Sequence, residues 1–106
     1  MLVNLTPHPI HIYRPDGICT IPPSGQVARI GQIDLGTQTL PACEFPVEYV
    51  EYRHVNGLPE RREGTWYIVS LALALASDRP DLLVPYDEVR SDEGTVIGCR
   101  MLARPL

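Results

Sequence analysis

The feature that most restricts the fold of this chain is the apolar run Thr65 to Asp81, T-W-Y-I-V-S-L-A-L-A-L-A-S-D-R-P-D, the longest in the sequence. Its two halves ask for different backbones. Trp66 to Val69 is aromatic and β-branched, which suits a strand, whereas Leu71 to Ala76 consists of the two strongest helix formers. A buried strand is therefore expected to hand over to a helix near Ser70, whose hydroxyl suits a free N–H of the first turn. Pro80 is expected to stop the helix, with Arg79 at its negative end. No other segment reads as a helix of any length, so the remaining strands and turns must find cover against this one.

The rest of the chain reads as short strands and turns. Residues 2 to 13 alternate in polarity but are interrupted by Thr6-Pro7-His8-Pro9, where two prolines deny His8 both helix and central-sheet pairing. Arg14-Pro15-Asp16-Gly17 predicts a turn, with Ile18 to Ile21 returning as the second strand of a hairpin. Pro22-Pro23-Ser24-Gly25 predicts another turn, followed by a third short strand over Gln26 to Ile30. In that strand Arg29 is either a snorkelling edge residue or a cation aimed into a cleft. Gly31 to Pro46 reads as a long excursion holding at most a short strand. Val47 to Val55 alternates with neither face uniformly apolar, which suggests an edge position or a partner subunit. Asn56 to Gly64 reads as a polar loop whose run Glu60-Arg61-Arg62-Glu63 is solvated. Asp81 to Pro85 predicts a strand parallel to Trp66–Val69, and Glu88–Arg90 with Val96–Leu102 a last hairpin turned by Ser91 to Gly94. Together these elements predict an α+β fold, a small mainly antiparallel sheet or partly open barrel with one principal helix. The 106 residues are expected to form one domain, 1–106.

Charge narrows the partners. The net charge of −4 argues against a nucleic-acid backbone, which needs a basic surface. No stretch reaches the roughly 18 apolar residues of a membrane span. The start M-L-V-N-L-T-P lacks the pattern of a signal peptide, and three unmatched cysteines, Cys19, Cys43 and Cys99, suit a reducing compartment, so a cytoplasmic location is expected. All nine cationic residues are arginines. Codon bias in a GC-rich genome accounts for that without selection on any site, although arginine also suits forked recognition of phosphate.

No glycine-rich phosphate loop, C-x-x-C pair, H-E-x-x-H or nucleophile elbow is present. His8 and His11 would point to opposite faces of a strand, so a metal there would require the proline bend to reorient them. Cys99 suits a core strand better than a nucleophile, and Asp78 and Asp81 around Arg79-Pro80 suit a local ion pair. The residues cohere best as a site for an anionic ligand, with no cofactor and no metal expected. Ser70 stands at the strand-to-helix junction. Arg29, Arg79 and Arg90 are cations next to apolar strand or helix ends, Thr6 and His8 occupy the rigid bend, and Tyr13, Trp66, Tyr67 and Tyr86 are aromatics able to stack on a base. One small domain has little concave surface, so a homo-oligomer is expected.

The blocks Val3-Asn4-Leu5-Thr6-Pro7-His8, Pro23-Ser24-Gly25-x-Val27-Ala28-Arg29, Gly57-Leu58-Pro59, Tyr67-Ile68-Val69-Ser70, Val89-Arg90 and Gly98-Cys99 resemble those of a family of short proteins from tailed phages and prophages, often of actinobacteria. The resemblance spans nearly the whole chain, and none of its blocks encodes a reaction. In size and setting such proteins resemble viral proteins that sequester nucleotide immune signals. The resemblance therefore implies a small binding protein, acting in the host cytoplasm, that holds a phosphorylated nucleotide-like signal derived from ADP-ribose or of the cyclic type. Arg29, Arg79 and Arg90 would hold phosphates, Ser70 would supply hydrogen bonds, and Thr6 with His8 would line the mouth. Two alternatives stand beside it: a small hydrolase using His8 or Cys99, and a protein-binding or virion-associated module using Val47 to Val55 as an edge.

Overall fold

The computed structural model describes all 106 residues. The apolar run folds as its composition asks. Strand β6 (Trp66–Ile68) leads into helix α1 (Leu71–Ala76), whose first turn is capped by the Ser70 hydroxyl accepting from the Leu73 N–H at 3.3 Å. The helix then ends sooner than Pro80 requires. Ser77 already has an extended backbone and serves as the C-cap, so Arg79 lies beyond the helix and is not a partner of its negative end.

Strands surround this unit in an order far from that of the chain. β1 (Leu2–Asn4), β2 (Ile10–Arg14), β3 (Gly17–Ile21), β6, β7 (Leu82–Arg90) and β8 (Val96–Ala103) form a six-stranded sheet ordered β1-β6-β7-β8-β2-β3. β1 and β7 flank β6 in parallel, with Leu2 opposite Trp66 and Tyr67 opposite Leu82, so β6-α1-β7 is the expected compact crossover. The β7–β8 and β2–β3 hairpins are antiparallel, and a single bridge, Ile12 opposite Cys99, joins β8 to β2 in parallel. The sheet curls there into a half barrel. Gly98 permits this close approach, because a Cβ on it would stand 2.6 Å from both the His11 carbonyl oxygen and the Tyr13 ring.

Alternation along β6 explains the core. Tyr67 and Val69 point to one side, where Leu5, Ala28, Leu73, Ala74, Leu82 and Val84 join them. Ile68 points to the other and packs with Ile10 and Cys99, flanked by Ile12, Ile21 and Leu102. Each fully buried aliphatic chain there stabilises the fold by about 2 kcal/mol.

The expected α+β class is overturned. Strands take 50% of the chain and helix 6%, so the fold is mainly β with one short helix. The reason lies in Ser77-Asp78-Arg79-Pro80, which offers no apolar face, begins with two weak helix formers and ends in proline, so nothing extends α1 beyond two turns. The segment Gly31 to Pro46 provides the missing strand content. β4 (Arg29–Gln38) pairs antiparallel with β5 (Val47–Asn56) as a separate two-stranded ribbon. The third strand expected over Gln26 to Ile30 thus begins only at Arg29 and continues into the expected excursion as far as Gln38. β7 likewise runs unbroken where two short strands were expected. No helix of the chain is long and apolar enough to cross a membrane.

At its base the ribbon packs Ile30 and Val55 against the α1 side of the core. Gly57 makes this seat possible: its φ is +80°, and a Cβ on it would stand 2.5 Å from the Val27 carbonyl oxygen. Even so, none of the twenty residues of β4 and β5 is fully buried.

Candidate functional site

The bend Thr6 to Pro9 is held from beneath by Asn4, which is almost fully buried. Its Nδ2 donates to the carbonyls of His8 (2.8 Å) and Ile21 (3.2 Å), and its Oδ1 accepts from the Thr6 N–H (2.9 Å) and the Thr6 hydroxyl (2.7 Å). All the hydrogen-bonding capacity of that amide is thereby met, consistent with a buried polar group that positions backbone. Thr6 is thus tied to the bend that Asn4 organises. Nothing in the sequence pattern distinguished Asn4 from any other polar residue of a strand.

The six residues expected to form one site are divided among several places. Thr6, Arg29 and Ser70 do come together, around a shallow cleft of about 250 Å³ that also includes Pro7, Val27 and Ile30. It lies past the carboxyl ends of the parallel strands β1 and β6. Arg29 makes no ion pair there, whereas the hydroxyls of Thr6 and Ser70 are engaged by Asn4 and by the helix N–H. His8 borders a different cleft, of about 420 Å³, together with His11, Glu88 and Cys99. The proline bend does bring His8 and His11 to one opening, although no group of three or more His, Cys, Asp or Glu side chains is arranged to hold a metal. The Cys99 thiol is buried and donates to the His11 carbonyl at 3.8 Å.

The other two arginines are occupied. Arg90 donates to the Glu88 carboxylate and to the Gly94 carbonyl, each at 2.8 Å, and so braces the β7–β8 turn. Arg79 grips Asp81 with two parallel bonds, Nε at 2.8 Å and one terminal nitrogen at 2.7 Å. Asp81 is nearly buried, and the fork of hydrogen bonds from Arg79 holds its carboxyl below the usual range against the opposing effect of desolvation. The same bonds raise the Arg79 pKa. Arg79 therefore cancels an internal carboxylate and has little left for a ligand.

A better supplied cleft lies at the opposite, amino ends of β6 and β7. It measures about 480 Å³ and is bordered by Arg61, Arg62, Glu63, Trp66, Asp81 and Arg104. Four segments meet here: the loop after β5, the start of β6, the residues just before β7, and those that follow β8. The Arg104 guanidinium carbon stands 5.7 Å from the centroid of the Trp66 ring, which is two-fifths exposed. None of Arg61, Arg62 and Arg104 takes part in an ion pair. With Asp81 neutralised by Arg79, the unpaired charges around the cleft are three guanidinium groups and Glu63. Such an edge can hold an anion by forked hydrogen bonds and a flat ring against the indole. In the sequence Arg61 and Arg62 belong to the charged run Glu60-Arg61-Arg62-Glu63, which reads as solvated. No local pattern connects them with Arg104, which is more than forty residues away along the chain.

Compared with protein-family models, curated proteins and solved structures, the chain matches none.

Proposed function

We propose that this protein binds a phosphorylated nucleotide-like ligand, derived from ADP-ribose or of the cyclic nucleotide type, and holds it without turning it over. The observation that carries this reading is the cleft in which Arg61, Arg62 and Arg104 stand unpaired beside the partly open Trp66 ring. A base or other flat ring would lie on the indole, and phosphates would be met by the guanidinium groups. The phage resemblance supports the same reading, since sequestering a host nucleotide signal in the infected cell requires binding and no chemistry. The pocket moves, however, from the Ser70 junction to the other end of β6, because a six-residue helix offers a weak dipole and the Ser70 hydroxyl already caps it.

Trp66 is the only tryptophan, so its emission reports directly on the cleft. Titration with ADP-ribose and with cyclic dinucleotides is expected to quench or shift that emission, with a Kd in about the micromolar range. Arg104→Ala should weaken binding by about tenfold, the loss of one charge-assisted contact. No change in emission or heat up to about 1 mM of any such ligand would overturn the proposal. Recovery of the ligand unaltered after denaturation supports sequestration, whereas a converted product would favour the small hydrolase.

A further inference from the structure

The chain exposes 7684 Å², where a compact monomer of this length exposes about 5,900 Å². Its radius of gyration is 16.7 Å, against about 13 Å for a compact chain of this size. The excess surface, about 1,800 Å², exceeds the roughly 800 Å² that each partner contributes to an interface of ordinary size. None of the twenty residues of the β4–β5 ribbon is buried. Leu35, Tyr49, Val50 and Tyr52 are exposed there, although an isolated two-stranded ribbon is marginal in water. β4 occupies one edge of β5, and none of the backbone bonds outside helices and strands involves residues 47 to 56. From Val47 to Arg53, up to the bulge at His54 (φ +67°), β5 therefore presents an open hydrogen-bonding edge.

We infer that this edge pairs with the same edge of a second copy, β5 against β5, antiparallel about a two-fold axis at Tyr52. The charge pattern identifies the occupant. Glu51 and Arg53 flank Tyr52 on one face of the strand and form only a loose ion pair with each other, 3.4 Å apart and about half exposed. Antiparallel pairing centred on Tyr52 sets Glu51 of each copy opposite Arg53 of the other, twice, and brings the two Tyr52 rings together on the opposite face. Parallel in-register pairing would instead set glutamate on glutamate and arginine on arginine. The same two residues thus favour a closed two-fold dimer over open stacking. The result is a four-stranded ribbon, β4-β5-β5-β4, with both β5 edges satisfied. This interface is separate from the arginine cleft and does not depend on its ligand.

Sedimentation equilibrium of the full chain tests it. Wild type is expected to be a dimer at about 100 µM. Glu51→Arg or Arg53→Glu alone creates two like-charge contacts and should weaken the dimer by about tenfold or more. An equimolar mixture of these two variants should recover the dimer, because one strand is then all positive at these sites and the other all negative. The double variant carrying both reversals should recover it as well. A monomeric wild type, a dimer indifferent to both reversals, or a failure of both the mixture and the double variant to recover association would each overturn the inference. The failed recovery would point instead to a strand from a different protein as the natural occupant.

Discussion

The six-stranded sheet and the β4–β5 ribbon are built from similar residues and reach opposite outcomes. In the sheet, β6 is flanked on both edges by strands and covered on both faces, by the α1 cluster on one side and by Ile10 and Cys99 on the other. In the ribbon, strands more than three times as long as β6 pair only with each other and bury no residue. Pairing makes a strand, and a second layer makes it stable; the ribbon has the first without the second. The contrast teaches that strand pairing alone does not build a core: the sheet is covered within the chain, and the ribbon leaves its length exposed.

Three substitutions probe that contrast, the largest expected effect first. Leu73 is fully buried in the α1 cluster, so Leu73→Ala should lower stability by about 3 kcal/mol, read by denaturant titration. The Arg79–Asp81 pair at the edge of the same core is worth about 2 kcal/mol as a charge-assisted pair with little exposure. Because the folded-state pKa of Asp81 is depressed, that contribution is fully present above the unfolded-state value of about 3.9. It is lost as pH falls through the lower folded value. Asp81→Asn should therefore reduce the melting temperature at neutral pH and flatten its decline below about pH 4. Leu35, exposed on the bulged part of β4, gives the smallest effect: Leu35→Ser should change stability by less than about 0.5 kcal/mol. A loss comparable to that of Leu73→Ala would break the comparison, since it would place a hidden core beneath the ribbon.

How much of this could be read from the sequence follows the same division. The start of α1 and its Ser70 cap were legible because propensity and capping are local and both pointed to residue 70, whereas its end at Ser77 was not. The parallel neighbour of β6 was legible because a helix leaves a crossover few alternatives. β4 was not, because Gly31 and Gly36 dilute its pattern and register shifts between Ile30 and Gly31 and between Asp34 and Gly36 break its alternation. With no core beneath it, a ribbon has no reason to keep one face apolar. That also explains the mixed faces of β5, which suggest an edge position or a partner subunit; the structure shows the edge. The candidate site was legible only in its chemistry. Arginines, an aromatic ring and hydroxyls were expected, yet Arg79 and Arg90 proved to be braces, and Arg61, Arg62 and Arg104 meet through tertiary structure that no local pattern encodes.

The pairing of Leu2 with Trp66 also fixes an order of events at the ribosome. β1 leaves the exit tunnel early but has nothing to pair with until some sixty further residues have been synthesised, an interval of several seconds at ordinary elongation rates. Through that wait both edges of β1 are unpaired, because its one neighbour in the sheet is β6. Closure of so long a loop should make the docking of β1 a late and slow step of folding. The nascent chain would then be most vulnerable to proteases and to mispairing just before Trp66 emerges.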